Sequence, residues 1–135
     1  MLIKKKIKYL VVHCSDTSDN EDIGAKEIHQ LHISFGWDGI GYHKVIRKNG
    51  LTENGRPEFW VGAHVYGFNT ESLGVCLIGR DFFTKEQFIS LKKTLLDWKI
   101  KFPNAKILGH CDFKNTNKTC PNFDVKKWLL KENIN

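Results

Sequence analysis

Two stretches, IKYLVVH (7–13) and SLGVCLIG (72–79), are nearly unbroken apolar runs of strand length. A strand with one wet face alternates apolar and polar residues, whereas a strand covered on both faces reads as a continuous apolar run. Both stretches therefore predict strands with other elements packed on each side. Helix-period segments supply that cover. GAKEIHQLHISFGW (24–37) carries Ile28, Leu31 and Phe35 at helical spacing, and Gly36 is placed to end the helix as a C-cap. Thr84 with Gln87 matches a capping box, followed by Phe88, Leu91, Leu95, Trp98 and Phe102 on one stripe and then Pro103. DVKKWLL (124–130) predicts a last helix with Val125, Trp128 and Leu129 inward. Three further segments read as strands: YHKVIRKNG (42–50), running into an Asn-Gly turn, FWVGAH (59–64), short or merely extended, and KILGH (106–110). Strands and helices interleave. The expected fold class is α/β, a single domain with a central mixed β-sheet of about five strands flanked by about three helices.

The chain has 135 residues, the length of one domain, and no internal repeat or linker divides it. One domain over 1–135 is expected, with its core at about 7–130. With 41% hydrophobic and 27% charged residues the composition is globular, not disordered. No apolar run approaches the roughly 18 residues that cross a bilayer, so no membrane role is expected. The opening MLIKKKIKYLVVHCS resembles a signal peptide, but its apolar part is very short and no small-residue cleavage site follows. Cytoplasmic synthesis without an export signal is the expectation. The four cysteines, Cys14, Cys76, Cys111 and Cys120, could pair in three ways, but a reducing compartment favours free thiols or metal ligands. A net charge of +6 suggests an anionic partner: nucleic acid, acidic lipid or cell-wall polymer. The lysines are scattered apart from Lys4, Lys5 and Lys6, and no nucleic-acid motif is present, so no nucleic-acid surface is expected.

Two strands end in a His-Cys pair, His13-Cys14 and His110-Cys111, and Cys120 lies in the loop GHCDFKNTNKTCP (109–121). Neighbours on a strand point to opposite faces, so each pair offers one member to a shared site. One ligand from each place makes three, and zinc with three protein ligands leaves its fourth position for water, the catalytic arrangement. A closed structural site would need a fourth side chain, which His43, His64 or an unused cysteine could supply. Chemistry alone leaves His13 or Cys14, and His110 or Cys111, open. His29 and His32 lie three apart on the first predicted helix with no other ligand type near them, which reads as packing. His64 ends a strand-like segment before Tyr66, Gly67 and Asn69, a candidate substrate edge.

Read in order, VVHCSDT, HISFGW, GIGYHKVIRKNG, VGAHVYGFNTESLGVCLIG, LGHCDF and KTCPNFDVKKW resemble the zinc-dependent N-acetylmuramoyl-L-alanine amidases of the phage T7 lysozyme type, related to peptidoglycan recognition proteins. The resemblance covers about residues 9–130. It implies one zinc ion per chain, with His13, His110 and Cys120 as ligands and Cys14 and Cys111 as packing residues. It also implies Tyr42 and Lys118 as catalytic residues and His64 lining the substrate groove. Nine residues separate His110 from Cys120, more than the compact phage form suggests; this could shift Lys118, with Lys114 as the nearest substitute. The implied reaction is hydrolysis of the amide between N-acetylmuramic acid and L-alanine in peptidoglycan by a monomeric phage or prophage endolysin, acting on the cell wall after release. The alternative is a non-catalytic peptidoglycan-binding module on the same fold.

Overall fold

In a computed structural model, residues 6–114 and 116–135 are described. Lys4 and Lys5 of the basic cluster lie outside them. The elements run β1 (Tyr9–Cys14), α1 (Ala25–Ser34), β2 (Lys44–Ile46), β3 (Thr52–Asn54), β4 (Ser72–Leu77), α2 (Lys85–Lys101), β5 (Lys106–Gly109) and α3 (Val125–Lys131). The five strands form one sheet in the order β3-β2-β4-β1-β5. The pairs β1–β4, β1–β5 and β2–β4 are parallel, and β2–β3 is antiparallel. The sheet is mixed and five-stranded, with three α-helices, as the sequence predicts.

The two apolar runs become β1 and β4, the middle of the sheet. Leu10, Val12, Leu73, Val75 and Leu77 are buried with Leu91, Leu95 and Trp98 of α2 and Val125 and Leu129 of α3. Cys76 packs in a second cluster with Ile28 of α1, Ile40, Val45 and Ile78. Helices thus cover both faces, which is why these strands lack polar alternation.

Thr84 caps α2 as expected, accepting from the Gln87 backbone N–H at 3.1 Å while Gln87 Oε1 accepts from the Thr84 N–H at 2.9 Å. Gln87 is fully buried, and its Nε2 donates to the carbonyls of Ile46 and Ile78 at 3.2 and 2.9 Å. One side chain thereby fastens the start of α2 to the chain leaving β2 and β4.

Two expectations change. The fifth strand is Thr52–Asn54, which pairs with β2 across the Asn49-Gly50 turn. FWVGAH forms no strand, and Phe59 and Trp60 within it are 60% and 52% exposed. On α1, Ile28 faces the core, but Leu31 and Phe35 are 40% and 56% exposed. The helix ends at Ser34, with Gly36 just beyond it at φ +87°, a left-handed turn that suits glycine.

The Gln87 arrangement gives a stability prediction. Gln87→Ala leaves two carbonyls without their side-chain donor and breaks the capping box, so unfolding in urea should show a loss of about 2 kcal/mol. A loss under about 0.5 kcal/mol would mean that water replaces the amide without cost.

Candidate metal centre and its cleft

Parallel pairing builds the site. β1 lies between β4 and β5, with Val12 opposite Val75 on one side and Gly109 on the other. His13 and His110 are the next residues of two neighbouring parallel strands, at their C-terminal ends, where open α/β sheets bind ligands. Their rings sit 4.7 Å apart between centroids. His13 is 1% exposed, and His110 is half-buried at the start of a 3-10 turn over His110–Asp112.

Cys120 comes from the loop before α3. The Cys111 N–H donates to the Cys120 carbonyl at 2.8 Å, and the Cys14 N–H donates to Cys120 Sγ at 3.1 Å. Asn122 Nδ2 holds the same loop to the Arg80 carbonyl at 2.7 Å. Ligand atoms of His13, His110 and Cys120 lie within 4.8 Å of one another, and Cys120 Sγ is 3.8 Å from His13 Nδ1. Neighbouring N and S donors around a tetrahedral ion with bonds of roughly 2.0–2.3 Å stand about 3.5 Å apart, so this set fits one cation.

The electrostatics agree with that fit. Burial, then the neighbouring His64, His110 and His43, holds the His13 pKa well below its ordinary value of 6.5. Burial, then the Lys118 charge, lowers that of His110. Both imidazoles are therefore neutral at neutral pH, as ligands must be. Contact with the Cys14 thiol, then burial, pushes the Cys120 thiol up. A thiol in that setting needs a cation to become a thiolate.

Among the described residues the convergent group contains these three and no fourth. His43 spends its ring elsewhere: Nδ1 accepts from the Gly74 N–H at 3.1 Å, and Nε2 faces the Trp60 carbonyl at 2.9 Å. His29 and His32 each accept a backbone N–H on Nδ1, from Ile40 at 3.0 Å and Gly41 at 2.9 Å. They tie α1 to the chain entering β2 and do not chelate. His64 lies at the inner wall, 8% exposed, its Nδ1 2.9 Å from His13 Nε2 and its Nε2 3.2 Å from Ser72 Oγ. Both ring nitrogens are engaged within the protein, and the ring also lines the cleft.

A cleft of about 430 Å³ opens over the three candidate ligands. Tyr42 lines it, its ring 5.0 Å from that of His13. Burial, then the nearby Cys76, Cys120 and Cys14, raises the Tyr42 phenol well above its ordinary value, so it stays protonated. Lys118 lines the rim and is exposed; Lys114 does not line the cleft. Apolar lining comes from Leu31, Phe35 and Trp37, the last 41% exposed. Sequence reasoning placed Leu31 and Phe35 at helical spacing with Ile28. Their i, i+4 spacing with an aromatic two residues later marks a helix stripe, but not whether a core or a cleft receives it. A larger cavity of about 520 Å³, lined by His29, Ile40, Arg56 and Trp60 among others, contains none of the three ligands.

The N-acetylmuramoyl-L-alanine amidase family profile matches residues 3–123. The chain belongs to that family. The endolysin of Klebsiella phage KP32 is 37% identical over 139 residues, covering 97% of this chain and 91% of the relative. The endolysin of Escherichia phage T7 is 37% identical over 133 residues, covering 93% and 87%. Among solved structures, the N-acetylmuramoyl-L-alanine amidase LysC from Clostridium intestinale superposes with a TM-score of 0.84 at 29% identity, covering 98% of this chain and 89% of that one. The amidase family therefore accounts for the whole sheet and the segments that bear His13, His110 and Cys120.

Buried histidines held neutral in the fold predict acid sensitivity. In the unfolded chain His43 titrates near 6.5, and burial lowers its folded value. Its contribution to stability is fully present above pH 6.5 and is lost as pH falls below it, because the unfolded state takes up the proton first. With chelator present, the urea midpoint should be lower at pH 5.5 than at pH 7.5, and the drop should be smaller in His43→Gln. An equal drop in both proteins would exclude His43 as a contributor.

Proposed function

We propose that His13, His110 and Cys120 hold one zinc ion, and that the protein uses it to hydrolyse the amide joining the lactyl group of N-acetylmuramic acid to L-alanine. The chain is an N-acetylmuramoyl-L-alanine amidase, an enzyme of peptidoglycan, and its endolysin relatives support a lytic role at the bacterial wall. The observation that carries the zinc reading is the donor set: two neutral imidazoles and one thiol converging on a point open to a cleft. Zinc bound there would supply hydroxide at neutral pH, by lowering the pKa of water from about 15.7 to near 7, and would polarise the scissile carbonyl.

The chain's own residues do the rest. Tyr42, kept protonated by burial, is no base at neutral pH; its phenol bonds the buried Cys76 thiol, and its proposed role is to turn that proton toward the substrate in the cleft. Lys118 brings a cation to the rim, where negative charge develops on the carbonyl oxygen as the amide carbon becomes tetrahedral. The wall of Leu31, Phe35 and Trp37 offers apolar surface to the C–H faces of the sugar and stem peptide. No helix is long and apolar enough to cross a membrane among the described residues. We further propose that the protein acts as a monomer, reaching the wall after release from the cell that makes it.

Incubation with purified peptidoglycan should release stem peptides with a new L-alanine amino terminus, and a chelator should abolish release. Lys118→Ala and Tyr42→Phe should each lower kcat by about 10²–10³-fold, equivalent to about 2.7–4 kcal/mol of barrier. Binding of peptidoglycan with no peptide released by the zinc-loaded protein would replace the hydrolase reading with a binding one. Near-normal turnover in both variants would remove those residues from the chemistry.

A further inference from the structure

We infer that Ser72 and His64 form a buried relay that fixes the tautomer and orientation of His13. This rests on the proposed role of His13 as a ligand. The relay starts at a group with only one possible role. The Phe68 carbonyl can only accept, and Ser72 Oγ donates to it at 2.8 Å. The single hydroxyl proton is then spent, so Ser72 Oγ meets His64 Nε2, 3.2 Å away, as an acceptor. His64 Nε2 must therefore carry its hydrogen, and His64 Nδ1 is a bare lone pair. That lone pair faces His13 Nε2 at 2.9 Å, which makes His13 Nε2 the donor. His13 Nδ1 is left unprotonated, and this is the nitrogen 3.8 Å from Cys120 Sγ. Each link determines the next, from a backbone carbonyl to the atom aimed at the metal.

The surroundings hold this chain in place. Ser72 is fully buried, so no solvent proton competes with its bond to Phe68. Asn69 Oδ1 accepts from the backbone N–H groups of both His64 and Val65 at 2.9 Å, fixing the turn that carries the imidazole. A Cβ on Gly74 would lie 2.7 Å from His64 Nδ1, so glycine there makes room for the ring. Metal-bound histidines characteristically donate their second N–H to a carboxylate, carbonyl or water. Here a second imidazole takes that place, and Ser72 holds its other nitrogen protonated. In this relay His64 and Ser72 are positioning residues that act through His13.

The test uses the full-length chain labelled with ¹⁵N-histidine. In the metal-free wild type at pH 7.5, two-bond ¹H–¹⁵N spectra should show His13 and His64 both neutral and both protonated on Nε2. Ser72→Ala should give mixed tautomers at His64. It should also weaken zinc binding about 10-fold, read by competition with a chromophoric chelator. His64→Leu removes the acceptor and should weaken zinc binding by about 10–100-fold. His64→Asn restores an acceptor near the Nδ1 position and should recover most of that loss, which a purely packing role for the ring would not produce. His13 protonated on Nδ1 in the metal-free protein overturns the relay. So does wild-type zinc affinity in both Ser72→Ala and His64→Leu. Failure of the wild type to bind zinc would refute the metal reading instead, and the tautomers of the metal-free protein would still decide the relay.

Discussion

The site depends first on the parallel pairing of β1 with β5. Because Val12 stands opposite Gly109, the next residue of each strand is a histidine, and two imidazoles emerge side by side at one edge of the sheet. A one-residue slip in that register would turn one of them to the opposite face. The register is held by burial. Leu10 and Val12 sit with Ile107 in the core packed beneath α2 and α3, and shifting either strand would expose that surface. The energy that aligns the two histidines is therefore hydrophobic and acts away from the chemistry.

The third donor of the proposed centre is positioned differently. Cys120 lies on a loop, and hydrogen bonds rather than packing locate it. The Cys14 N–H points at its sulfur, and the Cys111 N–H takes its carbonyl. Both donors come from the residues that follow the two histidines. The His-Cys pairs thus contribute twice, once through an imidazole and once through the next backbone N–H. Two nitrogens on a rigid sheet edge and one sulfur on a fastened loop leave the remaining side of the centre open to the cleft. A small domain can build an open three-ligand site this way without a helix-borne motif.

The sheet's centre was legible because burial on both faces leaves a plain mark, an apolar run without alternation, and α2 because its cap and stripe agree. β3 was not legible. Thr52, Glu53 and Asn54 form a polar edge strand, defined by its partner β2 and by a tight turn, not by its own residues. FWVGAH has strand-like composition, yet its aromatics face outward and its chain runs irregularly to place His64. At the site, alternation along a strand could say that one of each His-Cys pair faces inward, but not which. That choice came with the family resemblance, and the convergence of His13, His110 and Cys120 agrees with it. His64 was legible as a residue near the site. Its connection through His13 was not, because tautomers are set by partners distant in sequence.

The nine residues between His110 and Cys120 raised the question of whether Lys118 keeps its place. Lys118 lines the cleft, and a hydrogen bond from Cys111 to Cys120 closes the loop that carries it. Once those two residues are joined, the length of chain between them no longer affects the ligand geometry, and adding residues to such a loop costs little entropy. What remains constrained is whatever lies close to the closure. Lys118 is two residues from Cys120, so its backbone cannot stray more than about 7 Å from the ligand. Lys114 lies three residues beyond Cys111, on the other side of the closure, and does not line the cleft. A cation near the reacting carbonyl is useful only at short range, since solvent screens a distant one. The residue that anchors the loop thereby also confines the charge, so residues added between Cys111 and Lys118 leave the short tether from Cys120 to Lys118 unchanged.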